Sequence, residues 1–236
     1  MGKGKVYLIP CFIADVPYGD VLPEKVRAVV RDMKYFAVED VRSARRFIRK
    51  ICPDKDIDGL VFFEIGKRSD ASAAGQALAP CERGEDLGVI SEAGVPAVAD
   101  PGALVVEQAH RAGIRVVPVS GPSSLVLALM ASGLSGQNFA FNGYLPIDAH
   151  ARAARLKQLE QRSGREASAQ MFIETPFRNV RMFEAVLGAC SPDTMLCVAA
   201  DVTGESEYIR TLPVGRWRKE AVPDIDKRPT VFIIQK

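Results

Sequence analysis

The carboxylates that could do proton chemistry in this chain are Glu39, Asp40, Glu92, Asp100, Glu174 and Asp201. In a cleft, a carboxylate takes up a proton or accepts a hydrogen bond from a reacting hydroxyl. Asp40 and Arg42 stand together in Glu39-Asp40-Val41-Arg42. A carboxylate and a guanidinium on one turn can orient a hydroxyl and a phosphate at once. The same pair can equally be a local ion pair that starts a helix. Asp100, ahead of Pro101-Gly102, reads as the cap of the helix that follows.

Two small-residue turns complete the set. Ser91-Glu92-Ala93-Gly94-Val95-Pro96 follows an apolar run, and its glycine allows positive φ or close approach of a ligand. Its backbone N–H and C=O groups can hold the polar edges of a cofactor; it can also be a plain tight turn. Val119-Ser120-Gly121-Pro122-Ser123-Ser124 opens a helix, whose free N–H groups favour an anion or a polar ligand edge, or simply an N-cap and a linker. Two basic stretches bear on a nucleic-acid partner: Arg42, Arg45, Arg46, Arg49 and Lys50, then Arg152, Arg155, Lys157, Arg162 and Arg165. Phosphate contacts need such groups, although a solvated helix face looks the same.

Other chemistries lack their residues. The chain has no GxGxxG, no GxxxxGK[ST] and no GxSxG motif. Its five cysteines form no CxxC pair and it has two histidines, which argues against a metal site and for reduced, packed thiols. The apolar run Leu125–Ala131 is far short of a bilayer span, and the first residues do not read as a signal peptide. A soluble cytoplasmic protein is expected. A net charge of +2 leaves any nucleic-acid binding to local patches.

The elements that must position these residues alternate strand and helix. Strands are expected at Val6–Pro10, Tyr35–Val38, Leu60–Ile65, Gly88–Ser91, Arg115–Val119, Phe139–Tyr144, Met171–Glu174, Met195–Asp201 and Thr230–Ile234. Helices are expected at Glu24–Arg31, Ser43–Ile51, Ser69–Cys81, Leu104–Ala112, Ser123–Ser132, Ala149–Ser163 and Arg178–Cys190. This order implies an α/β fold with mostly parallel sheets. The strands outnumber those of one small open sheet, so two α/β domains are expected, 1–118 and 119–236.

Ser91–Gly102 (SEAGVPAVADPG), AHRAGIRVVPVSGPSS, ASGL at Ala131–Leu134 and FNGYLP at Phe141–Pro146 together resemble the tetrapyrrole methylase superfamily. Within it they are most similar to the branch of small-subunit ribosomal RNA cytidine 2′-O-ribose methyltransferases, whose EDTR and ESPHR motifs match Glu39–Arg42 and Glu174–Arg178. The resemblance implies a methyltransferase that uses S-adenosylmethionine, bound in a cleft between two α/β domains of a homodimer. Carried over, Ser91, Ala93, Gly94, Val95, Pro96, Gly121, Ser123 and Ser124 would hold the donor. Ile173, Ala200 and Thr230 would line the same cleft. Asp40 and Arg42 would serve catalysis, Glu174 and Arg178 the substrate, and no metal is implied. The chain departs from the branch at Pro10–Val16, where Phe12 replaces a proline and Ala14 a glycine, at Phe63–Ser69, at Phe177 in place of a histidine, and at Asp201–Thr203. The acceptor therefore stays open at this point. It is a ribose 2′-hydroxyl of ribosomal RNA or a small metabolite such as a tetrapyrrole; otherwise the chain binds donor or RNA without catalysis.

Overall fold

A computed structural model describes residues 2–66 and 68–236, and the chain separates into two compact units, 1–123 and 124–236. In the first, five parallel strands lie in the order β3-β2-β4-β1-β5: β1 (Lys5–Ile9), β2 (Tyr35–Val38), β3 (Val61–Glu64), β4 (Leu87–Ile90) and β5 (Arg115–Pro118). Strands covered on both faces are apolar throughout, and β4 is buried along its whole length.

Helices α1 (Tyr18–Val21) and α2 (Glu24–Asp32) join β1 to β2, and α3 (Val41–Ile51) joins β2 to β3. Val26 and Val30 of α2 and Ala44, Phe47, Ile48 and Ile51 of α3 pack with Ile9, Phe36, Val38 and Ile90 on one face of the sheet. The other face packs Val6, Leu87 and Val89 with α4 (Ala71–Ala77), α5 (Ala79–Glu82) and α6 (Gly102–Arg111). The single helix expected at Ser69–Cys81 is broken at Leu78, because Pro80 has no N–H for the i−4 carbonyl and its ring clashes there. β1 and β4 are neighbours whose outgoing helices cover opposite faces. Such a switch in direction is where an open α/β sheet takes its ligands, outside the strands' C-terminal ends.

The second unit has a five-stranded sheet in the order β6-β7-β10-β8-β9: β6 (Phe139–Tyr144), β7 (Ala169–Ile173), β8 (Met195–Ala200), β9 (Tyr208–Pro213) and β10 (Thr230–Gln235). Here the expectation of mostly parallel pairing gives way to a mixed sheet. Only β6 and β7 pair in parallel, across helix α8 (Ala149–Glu166). β8 and β9, β8 and β10, and β7 and β10 are antiparallel. The reason is chain length: 201–207 between β8 and β9 is too short for a parallel crossover. α8, α9 (Asn179–Ala189) and α10 (Val214–Trp217) cover one face around Phe172, Phe183, Trp217 and Phe232. α7 (Ser124–Ser132) covers the other around Met171, Val231 and Ile233.

Candidate functional site

The C-terminal edge of the parallel sheet is built from the loops after β1, β4 and β5. Gly94 joins the first two: its C=O accepts the Cys11 N–H at 2.8 Å and its N–H donates to the Phe12 C=O at 3.4 Å. Its φ of +67° is left-handed, and a Cβ there would stand 3.3 Å from the Pro122 carbonyl oxygen. Gly121, in the loop after β5, has even less room, for a Cβ would fall 2.2 Å from Cβ of Pro10. The two glycines are therefore what lets three backbones meet at one edge. Ser91, nearly buried, donates its hydroxyl to the Ala93 carbonyl at 3.2 Å.

Past Pro96, Ala97 and Ala99 hold positive φ of 65° and 59°. Asp100 holds this stretch: Oδ2 accepts the Ala97 N–H at 2.9 Å and Oδ1 the Gly102 N–H at 2.6 Å. It both caps the start of α6 and ties the loop. Burial pushes its carboxyl above the usual range against these two hydrogen bonds. The cavity beneath, about 10 Å³ and lined by Val38, Glu39, Ser91, Asp100 and Gly102, has room for no more than a water-sized group. A ligand at this edge rests on the loops.

The carboxylates divide by environment. Asp40 is the N-cap of α3, and its Oδ1 accepts the Ser43 N–H at 2.7 Å. That bond and the Ser43 hydroxyl hold its carboxyl below the usual range. Arg42 is exposed in the first turn, and no Asp40–Arg42 ion pair occurs among the described residues. Glu92 moves the other way. Desolvation, then the negative charges of Asp40 and Glu39, raise its carboxyl, while the Ser43 hydroxyl and Arg46 oppose the rise. β2 and β4 are paired through Val38 and Ile90, which brings the acids following them together. Glu92 in turn reaches Cys11, whose thiol is pushed far up by burial and then by Glu92 and Asp100.

The loop after β1, where the chain departs from the familiar pattern, has its own fastening. Phe12 meets Phe47 edge-on at 5.8 Å and lies under the Lys50 ammonium at 4.3 Å. Lys50 also reaches Asp15 at 2.5 Å and the Val16 carbonyl at 3.0 Å. Of Phe63–Ser69, Lys67 lies outside the described residues; Gly66 donates its N–H to the Ser69 hydroxyl at 3.0 Å.

In the second unit the antiparallel register sets Thr230 beside Ala200 and Val231 beside Ile173, so these strand ends share one edge of that sheet. Ala200 and Thr230 are buried and Ile173 is partly buried. Glu174 and Arg178 bind each other: Nη2 and Nε donate to Glu174 Oε1 at 2.6 and 3.0 Å, and the Thr175 N–H adds a third bond at 2.7 Å. Phe177 beside them is 75% exposed. Sequence reading missed two residues that organise this edge. Asn179, fully buried, donates to the Arg228 carbonyl at 2.6 Å and to Thr230 Oγ1 at 3.1 Å. Arg228 reaches Asp201 Oδ2 at 2.7 Å, in the stretch of Asp201–Thr203 that departs from the branch pattern. An asparagine just inside a helix and an arginine before a proline carry no signal of their own; only the fold brings them together.

All five cysteines are buried and unpaired. Among the described residues no cluster of His, Cys, Asp and Glu could hold a metal ion, and no helix is long and apolar enough to cross a membrane.

No protein-family model matches the chain. It is 30% identical over 207 residues to the ribosomal RNA small subunit methyltransferase I of Pseudomonas aeruginosa, covering 86% of this chain and 70% of that protein. It is 27% identical over 223 residues to the protein of the same name from Escherichia coli O157:H7, covering 92% and 73%. Among solved structures it shares the fold of the methyltransferase CobJ, with a TM-score of 0.65 at 18% identity over 99% of this chain and 94% of that one. It also shares the fold of uroporphyrin-III C-methyltransferase from Thermus thermophilus in complex with S-adenosyl homocysteine, with a TM-score of 0.58 at 15% identity over 99% and 98%.

Proposed function

The chain belongs to the ribosomal RNA small subunit methyltransferase I family, and from that membership we propose that it methylates a ribose 2′-hydroxyl of small-subunit ribosomal RNA with S-adenosylmethionine as donor. The observation that carries this reading is the 30% identity that extends over 86% of the chain. The loop edge of the first unit supports it. Gly94 and Gly121 keep side chains out of a place where three backbones converge, and the acids Glu39, Asp40 and Glu92 suit a ligand that carries positive charge.

When bound, the donor supplies a methyl group on a positively charged sulfur, a leaving group that needs no further activation. The chain's own work is to hold, orient and take up a proton. Ser91, Ala93, Gly94, Val95 and Pro96, with Gly121, Ser123 and Ser124, form the donor seat. Glu92 accepts the hydroxyl proton: its carboxyl is raised toward the working range, whereas that of Asp40 is lowered away from it and is engaged at the helix end. Arg178, oriented by Glu174, offers its guanidinium to the RNA. We read the protein as a cytoplasmic homodimer; the large apolar side chains Met130, Phe139, Tyr144 and Ile147, all exposed in the second unit, support the association.

The test is transfer of tritiated methyl from the donor to RNA of cells lacking this protein. Label is expected in small-subunit ribosomal RNA, in dinucleotides that resist alkali because the 2′-oxygen is blocked. Label in a small-molecule fraction instead, or no donor binding by calorimetry, would overturn the proposal.

A further inference from the structure

Resting on the ribosomal RNA reading above, we propose that the outward face of α3 grips the phosphate backbone of the RNA, with Arg42, Arg46 and Arg49 as its contacts. α3 sorts its residues by face. Ala44, Phe47, Ile48 and Ile51 are buried, while Arg42, Arg45, Arg46, Arg49 and Lys50 are exposed. No acidic residue lies between Val41 and Ile51. Arg42 and Arg46, Arg45 and Arg49, and Arg46 and Lys50 are each four residues apart, a spacing at which like charges destabilise a helix. Such a face is costly in the free protein and favourable once phosphates lie along it.

The ion pairs show which cations are already occupied. Arg45 pairs with Asp58 at 3.1 Å and Lys50 with Asp15 at 2.5 Å. Among the described residues the Arg46 guanidinium donates only to the Ser43 hydroxyl, at 3.2 Å. The side chains of Arg42 and Arg49 have no ion-pair or hydrogen-bond partner among the described residues. The other basic helix, α8, is different. Arg162 and Arg165 both bind Glu166, Arg152 donates to the Ile147 carbonyl at 2.8 Å, and Arg155 to Asn142 Oδ1 at 3.2 Å. Among the described residues α8 leaves Lys157 alone without an ion pair or side-chain hydrogen bond, whereas α3 leaves two guanidinium groups, Arg42 and Arg49.

Position agrees with charge. α3 begins directly after β2, with Asp40 as its cap and Glu92 close enough to be raised by the Asp40 charge. Arg42 and Arg49 are seven residues apart, about 10 Å along the axis at 1.5 Å per residue. That is longer than one nucleotide's rise of about 3.4 Å. A strand laid along this face would be held at more than one phosphate, with a ribose brought to the end of the helix where Glu92 stands.

Binding of an unmethylated transcript of small-subunit ribosomal RNA, measured against salt for wild type and two variants, tests this. Arg42→Gln with Arg49→Gln is expected to flatten the dependence of log affinity on log salt by roughly 1.4 to 1.8, two contacts at 0.7–0.9 each. It is also expected to raise KM for RNA while leaving donor affinity by calorimetry unchanged. Arg162→Gln with Arg165→Gln is expected to leave the slope as it was. An unchanged slope in the α3 variant, a flattened one in the α8 variant, or no RNA binding by wild type would overturn the proposal. Failure of the methyltransferase reading itself would show separately, as absent donor binding in wild type.

Discussion

At the scale of the residue, the chemistry turns on which carboxylate is free to take a proton. Asp40 and Glu92 are neighbours with opposite tendencies: the Ser43 N–H and hydroxyl favour ionised Asp40, while burial and the charges of Asp40 and Glu39 disfavour ionised Glu92. An asparagine caps a helix about as well as an aspartate, so Asp40→Asn is expected to leave folding unchanged. It also removes a negative charge that raises Glu92. Glu92 must be ionised to accept a proton, so activity is lost as pH falls through its raised pKa. In Asp40→Asn the acid limb of kcat/KM is therefore expected to move to lower pH, with the plateau kept. Glu92→Gln is expected to lose the plateau itself, by the 10²–10⁴-fold typical of a missing general base. A plateau lost in Asp40→Asn and kept in Glu92→Gln would reverse the two roles. The sequence placed both residues among the candidates; it could not say which is engaged as a cap, because that depends on the Ser43 N–H three residues on, turned to face Asp40 by the start of α3.

At the scale of the element, the run from Ser91 to Gly102 is a loop in which the backbone carries the shape. Gly94, Ala97 and Ala99 all hold positive φ, and an alanine pays roughly 1–2 kcal/mol for that conformation. Asp100 offsets the strain by accepting the Ala97 and Gly102 N–H groups with different oxygens. Asp100→Asn leaves one of these donors facing another N–H, so a loss of about 1–3 kcal/mol is expected from the urea midpoint, together with weaker donor binding as the loop relaxes. Unchanged donor affinity alongside the lost stability would separate the loop's shape from its proposed use. The strand–turn–helix order of this region was legible because β4 is continuously apolar and its turn is rich in glycine and proline. Two elements were less so. β9 escaped notice because it is an edge strand with Arg210 exposed in its middle, which masks its alternation. The break at Leu78 was hidden by the alanines on either side of it.

At the scale of the whole molecule, alternation of strand and helix disclosed two α/β layers but not the direction of pairing in the second sheet. Direction is set by how far the chain travels between strands, and β10 enters between β7 and β8 from the far end of the sequence, which no local pattern records. The proposed homodimer belongs to the same scale. β6 is the sheet's outer strand, where Phe139 and Tyr144 are exposed; Ile147 lies just beyond, and Met130 projects from α7. Exposed large apolar side chains on an edge strand, just past it and on the helix covering that sheet favour association when a second copy covers them. A homodimer predicts a sedimentation-equilibrium mass of about twice 25.6 kDa. Phe139→Asp with Ile147→Asp is expected to halve that mass while leaving the far-ultraviolet circular dichroism unchanged, since Ile147 is largely exposed and Phe139 half exposed in the single chain. A wild type that sediments as a monomer at tens of micromolar, or a double variant that stays dimeric, would mean that this edge is not where two copies meet.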